Sequence, residues 1–294
     1  MTALDPVTLA KAPWLDRGGR FVPLKALTFA ALFAPAAAAA INLLDGSFAA
    51  EPAKQVIHAL GLWTFRLILL ALAVTPAVQI FRYPKLLTLR RMIGVGAFAY
   101  ALAHLCAYVV QQNFDLAKVA SEIALRFYLA IGFSVLLILA ALAATSTDAM
   151  IRRLGAKRWN ALHRMVYAGA ALALVHYFIQ AKLVVTEPTV FAGLFLWLMG
   201  YRAVAWRAGQ RVAVRPLVLG ALAIAATALT MIGEAAGYTL LTPVDGSQVL
   251  SANLTLAAGL RPGWYVLIFG MAVTVAAFVR GRFVPAPRRA SAVA

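Results

Sequence analysis

The chain contains one cysteine in 294 residues, Cys106, and it lies inside an apolar run. This excludes an intrachain disulfide and any cysteine-built zinc or iron–sulfur cluster. Acidic residues are also scarce: 10 Asp and Glu stand against 27 Lys and Arg. Charged residues of both signs make up 13% of the chain, about half the share of a soluble domain. So little polar material excludes a soluble globular enzyme and a disordered chain. No window shows the strict apolar–polar alternation of a membrane barrel strand.

What the chain has is apolar length. Hydrophobic residues account for 63%, and the mean hydropathy is +0.85. A helix needs about 20 apolar residues to cross a bilayer. Eight stretches qualify, at roughly 25–44, 57–81, 93–112, 127–145, 161–181, 189–206, 215–237 and 263–280. The fold class expected is all-α, a polytopic membrane helix bundle with eight transmembrane helices. The first stretch has a basic lead-in of about 25 residues, too long for a signal peptide, so it is expected to stay as an uncleaved helix.

The net charge of +17 would suggest nucleic acid in a soluble protein. Here the basic residues fall in short clusters between apolar runs, as in cytoplasmic loops, so no nucleic-acid partner is expected. Lys11, Arg17, Arg20 and Lys25 lead into the first span. Further clusters are Arg82, Lys85, Arg90 and Arg91; Arg152, Arg153, Lys157 and Arg158; Arg202, Arg207, Arg211 and Arg215; and Arg280, Arg282, Arg288 and Arg289. The alternate loops hold only Lys54, Lys118, Lys182 and Arg261, with Arg126 at a helix start. The alternation predicts that both termini are cytoplasmic. The longest external loop, about 25 residues around 238–262, is too short for a domain. The roughly 14 residues after the last span leave no room for a nucleotide-binding domain.

Ionisable residues inside a membrane helix are functional candidates by default. His104 lies about 16 Å along the third span and His176 about 22 Å along the fifth, both in the outer half. Zinc would want three or four ligands at one depth. Haem wants two axial imidazoles from facing helices and apolar walls, which these two histidines offer. Small or aromatic neighbours such as Ala97, Ala101, Gly169, Ala173 and Tyr177 leave room for a flat ring. The alternative is a lone hydrogen-bonded histidine in each helix, stabilising packing. Arg66, within the second span, needs an anionic partner, and a haem propionate would serve. Arg126 could do the same, although snorkelling to the interface is the simpler reading there.

His163 stands 13 residues before His176, about 20 Å along a helix axis and about 140° short of a whole number of turns. The third span has Arg90, not a histidine, at the matching depth. His163 could therefore edge a haem, ligate a second site weakly, or join a quinone or flavin site. Trp159, His163 and Tyr167 share one face at helical spacing; an interfacial aromatic belt explains that face equally well. The run Gly94-Val95-Gly96-Ala97-Phe98-Ala99 matches a dinucleotide fingerprint, but no strand precedes it. Close helix packing is the better reading of its glycines.

Several of these segments resemble one family. Leu89-Arg90-Arg91-Met92-Ile93-Gly94 and Tyr100-Ala101-Leu102-Ala103-His104 look like the third helix of the MsrQ (YedZ) family. Thr145-Ser146-Thr147, Leu154-Gly155, Trp159, Leu162-His163, Tyr167 and His176-Tyr177 look like its fourth-to-fifth helix segment, and Val74-Thr75-Pro76 fits the end of its second helix. The resemblance covers roughly residues 55–206, with ferric reductases and NADPH oxidases as wider relatives. It implies a haem b protein of the bacterial inner membrane, with haem in the core of helices 2–5. It also implies electron transfer from the respiratory quinone pool to MsrP, a periplasmic molybdopterin enzyme that reduces methionine sulfoxide in oxidised proteins. FMN is associated with the family as well. The family's functional histidines fall on His104, His163 and His176. The chain would then comprise a cytoplasmic tail (1–24), a six-helix haem-binding domain (25–206) and two added helices with a tail (207–294). It would be an electron-transfer subunit, not the catalytic one. A stand-alone transmembrane ferric reductase shares these histidines and is the nearest alternative. A transporter would want broken helices and internal repeats, and a purely structural subunit would leave His104 and His176 unexplained.

Overall fold

The computed structural model describes residues 12–16, 18–48, 51–182, 184–255 and 259–283. Lys11, Arg17, Arg288 and Arg289 of the terminal basic clusters lie outside them. The described residues are helical, with an isolated bridge between Leu15 and Phe21 as their sole β pairing. Eight helical segments are long and apolar enough to cross a membrane, and they coincide with the eight stretches expected from hydropathy.

The chain divides into two compact units. The first comprises residues 1–74 and 84–180. Its helices are α1 (Pro23–Ala31), α2 (Ala34–Leu44), the larger part of α3 (Pro52–Phe81), α4 (Leu87–Gln111), α5 (Leu116–Leu125), α6 (Phe127–Ala144), α7 (Asp148–His163) and α8 (Met165–Ala181). The second comprises 75–83 and 181–294. It holds the end of α3, then α9 (Thr186–Ala208), α10 (Gln210–Ala213), α11 (Pro216–Leu241), α12 (Gly246–Leu254) and α13 (Pro262–Phe283). In this unit the sixth span, α9, packs with the last two spans.

Proline sets several helix ends. Pro23, Pro52, Pro216 and Pro262 open helices, where the missing N–H costs nothing. Pro35 acts differently. Its ring conflicts with the carbonyl four residues back, and α1 ends at that residue, Ala31. The first span is therefore two helices, where one continuous helix over 25–44 was expected. The break is filled from α4: the Tyr100 hydroxyl donates to the Leu32 carbonyl at 2.7 Å and accepts from the Ala36 N–H at 3.0 Å. Those two groups would bond each other in an unbroken helix, so Tyr100 completes the ladder by insertion. Tyr100→Phe should leave both unpaired and cost about 1–3 kcal/mol. A lowered thermal midpoint of the full chain in detergent checks this, and an unchanged midpoint contradicts it.

Two short helices in the connections between spans, α5 and α12, escaped the hydropathy reading because each is too short to span. Each follows an aspartate cap: Asp115 accepts from the Lys118 N–H and Asp245 from the Ser247 N–H, both at 2.9 Å. The Ser247 backbone and hydroxyl hold the Asp245 carboxyl below its ordinary range. The fifth span is likewise two helices, α7 and α8, with helical bonding interrupted at Arg164. Within α7, Gly155 turns at φ +72°, a conformation that favours glycine. Of the two glycines in the discarded fingerprint, Gly96 packs closely: a β-carbon there would come within 3.1 Å of Leu32.

In the second unit small residues let the spans touch. A β-carbon at Gly193 of α9 would collide with Thr230 of α11 and Val266 of α13. Beyond this contact Glu234 of α11, 6% exposed, binds Arg261 at 2.7 Å and the Asn253 amide at 2.8 Å.

Candidate functional site

The structure brings His104 of α4 and His176 of α8 together, with ring centroids 6.5 Å apart and ring planes at 90°. Each ring is seated in the same way. His104 Nδ1 lies 2.7 Å from the Ile57 carbonyl of α3, and His176 Nδ1 lies 2.8 Å from the Tyr128 carbonyl of α6. A carbonyl only accepts, so Nδ1 carries the proton in both rings. That leaves Nε2 as the lone-pair nitrogen, the state a metal ligand needs.

Four residues beyond each carbonyl stands a glycine, Gly61 on α3 and Gly132 on α6. A β-carbon at Gly61 would come within 3.0 Å of the His104 ring, and one at Gly132 within 2.8 Å of the His176 ring. The two glycines are the floor on which the imidazoles lie. Hydropathy and histidine spacing could not find them; an isolated glycine in an apolar helix was the one available signal. The carbonyl partners carry no sequence signal at all.

The centroid separation is compatible with one metal atom between the two rings. An imidazole nitrogen sits about 2 Å from a first-row metal, and the ring centre lies about 1 Å further on. Two imidazoles on one iron thus place their centroids about 6–6.5 Å apart. Two neutral imidazoles with protonated Nδ1 atoms, each braced by a backbone carbonyl, are the donor set of bis-histidine ligation.

The other candidates fall elsewhere. The Arg66 guanidinium lies over the Trp63 ring, 4.8 Å from its centroid, a cation–π contact. Arg126 is committed to Glu122 at 3.1 Å and to the Tyr128 hydroxyl at 3.2 Å, while Tyr108 donates to the same carboxylate. If Arg66 also neutralises a cofactor carboxylate, Arg66→Leu should shift the bound group's midpoint potential or lower its retention. A redox titration of the variant reads this; a wild-type potential and cofactor content would show that Arg66 does not act on the bound group.

His163 does not join the pair. It stacks on Trp159 with centroids 3.8 Å apart, and its Nε2 lies 3.1 Å from the Thr145 hydroxyl. The Trp159 indole N–H donates to the Thr145 carbonyl at 2.9 Å. The stack lines a cavity of about 270 Å³ together with Arg90 and Arg91. Arg91 is anchored by Asp148 at 2.6 Å. The arginine that stands where a second α4 histidine was sought thus shares this cavity with His163. Tyr167 follows the break at Arg164 and is not part of the lining, so the expected three-residue face reduces to two.

Residues 60–174, which carry His104 and His163 and end two residues short of His176, match the family model described as the ferric reductase like transmembrane component. The chain belongs, within that class, to the MsrQ family of protein-methionine-sulfoxide reductase heme-binding subunits. Its MsrQ relative from Rhodospirillum rubrum is 38% identical over 190 residues, covering 64% of this chain and 89% of the relative. The MsrQ protein of Polaromonas naphthalenivorans is 42% identical over 156 residues, covering 52% and 71%. Magnetosome protein MamZ of Magnetospirillum gryphiswaldense is 36% identical over 167 residues, but these are 26% of its length. No solved structure matches the chain.

Proposed function

We propose that this chain is a haem b electron-transfer subunit of the bacterial inner membrane, held on iron by His104 and His176. It passes electrons from the quinone pool to a periplasmic molybdopterin methionine sulfoxide reductase of the MsrP type. The observation that carries the reading is the imidazole pair, with centroids at 6.5 Å and both Nδ1 atoms on backbone carbonyls. The name of the relatives, heme-binding subunits, supports the same cofactor. Haem, when bound, supplies a one-electron centre. The chain's own part is to present two Nε2 lone pairs, to fix both tautomers through Ile57 and Tyr128, and to surround the site with apolar helix.

The cavity beside His163 is the proposed entry point for electrons. Arg90 and Arg91 offer donors to ring carbonyls, and the Trp159–His163 stack offers an aromatic face. Its volume of about 270 Å³ is below the roughly 300–1,000 Å³ of pockets that enclose a whole ligand. It suits a quinone ring better than complete FMN.

The orientation follows from charge, since the clusters at 82–91, 152–158, 202–215 and 280–282 are expected on the cytoplasmic side. A C-terminal alkaline phosphatase fusion should be inactive and a C-terminal fluorescent protein bright; an active phosphatase would reverse the topology. The acceptor is tested with the full chain in proteoliposomes, reduced by a quinol. Reoxidation by MsrP with methionine sulfoxide, and not by ferric chelate, is the expected result. The reverse preference would establish the ferric reductase alternative.

A further inference from the structure

We propose that the second unit carries a binding site for the phosphate headgroup of an anionic phospholipid, at the end opposite Glu234. Arg82, Arg211, Arg215, Arg280 and Arg282 line one cavity of about 420 Å³. They come from three separate stretches: the end of α3, the turn between α9 and α11, and the end of α13. Five guanidinium groups around one cavity repel one another, and arginine remains charged at any working pH.

No acidic residue is part of the cavity's lining. The unit's acidic residues are Glu187, Glu234 and Asp245. Glu187 opens α9, at the far end of that helix from Arg207. Glu234 lies 18 residues beyond Pro216, about 27 Å along α11, and Asp245 follows the end of that helix. Among the described residues no carboxylate pairs with Arg211, Arg215, Arg280 or Arg282, so their counter-charge must be supplied by another group. The Arg280 Nε is buried and has no hydrogen-bond partner among the described residues. That is a donor awaiting an acceptor in a place water does not reach.

The remaining lining selects a lipid over a free anion. Ile80, Val214, Ala277 and Phe278 stand beside the arginines, and α3 and α13 are both of membrane-crossing length. A cavity with guanidinium groups and apolar side chains at a bilayer edge matches a phosphodiester joined to acyl chains. Guanidinium binds phosphate bidentately, through two parallel hydrogen bonds. The site is independent of the histidine pair and of electron transfer.

The test uses the purified full chain in a neutral detergent, with thermal midpoint and native mass spectrometry as readouts. The probes are cardiolipin, phosphatidylglycerol, phosphatidylcholine and inorganic phosphate. The anionic lipids should raise the midpoint and remain bound, and phosphatidylcholine should do neither. The double variant Arg215→Gln/Arg280→Gln should lose at least tenfold in apparent affinity for the anionic lipids. Arg152→Gln/Arg153→Gln, in the first unit, should bind as the wild type does. Equal binding by the Arg215/Arg280 variant, or equal stabilisation by phosphatidylcholine, overturns the proposal. Protection by inorganic phosphate equal to that by lipid overturns the lipid assignment in favour of a soluble anion. If the double variant does not fold, the order of the four probes on the wild-type chain decides.

Discussion

His104→Ala and His176→Ala should each purify with most of the haem missing. On the proposed reading, either change removes one of the two imidazoles that would hold the iron. It also strands the Ile57 or Tyr128 carbonyl that the lost ring had engaged. His163→Ala should behave differently. Its imidazole is tied to Trp159 and Thr145, away from the pair, so haem content and a six-coordinate low-spin spectrum should survive. The effect should appear as slower reduction by quinol. Haem per polypeptide, measured in the three variants after checking expression, reads all of this. Haem lost from His163→Ala and retained in His176→Ala would show that the wrong residues have been paired.

The second large effect belongs to Glu234. Its carboxylate is buried, with 2% of the side chain exposed, and it receives both Arg261 and Asn253. Glu234→Ala would leave a buried amide and a largely buried guanidinium without their acceptor. Breaking a buried pair from one side costs about 3–5 kcal/mol. The lower end applies here, because 22% of the Arg261 side chain is exposed. Glu234→Gln keeps an acceptor oxygen and should lose less. Thermal midpoints of the two variants, with proteolysis of the 242–261 loop as a second readout, test the order Ala worse than Gln worse than wild type. Wild-type stability in Glu234→Ala would mean that the cluster does not hold the loop.

The membrane spans were legible in the sequence because transfer into a bilayer depends on summed apolar length, which a linear reading measures directly. Breaks were less legible. Pro35 stood in plain view, yet what closes the gap is Tyr100, distant in sequence and identifiable only after folding. The same holds for the histidine pair. His104 and His176 stood out as ionisable residues at similar depth, but their seats on Ile57 and Tyr128 are backbone groups, which no side-chain pattern encodes. Gly61 and Gly132 were visible as letters and not as partners. The packing of α9 with α11 and α13 depends on close contacts at Gly193, a three-body arrangement that hydropathy does not register. The Arg90–His163 juxtaposition is half legible: the sequence shows Arg90 where a second α4 histidine would stand, but not that it walls the same cavity.

The central claim is that His104 and His176 hold one haem iron. The measurement that tests it most directly is a reduced-minus-oxidised visible spectrum of the purified full chain. The account predicts the sharp α and β bands of a low-spin, six-coordinate b-type haem. A featureless difference spectrum from folded protein, expressed with ample haem supply, would contradict it.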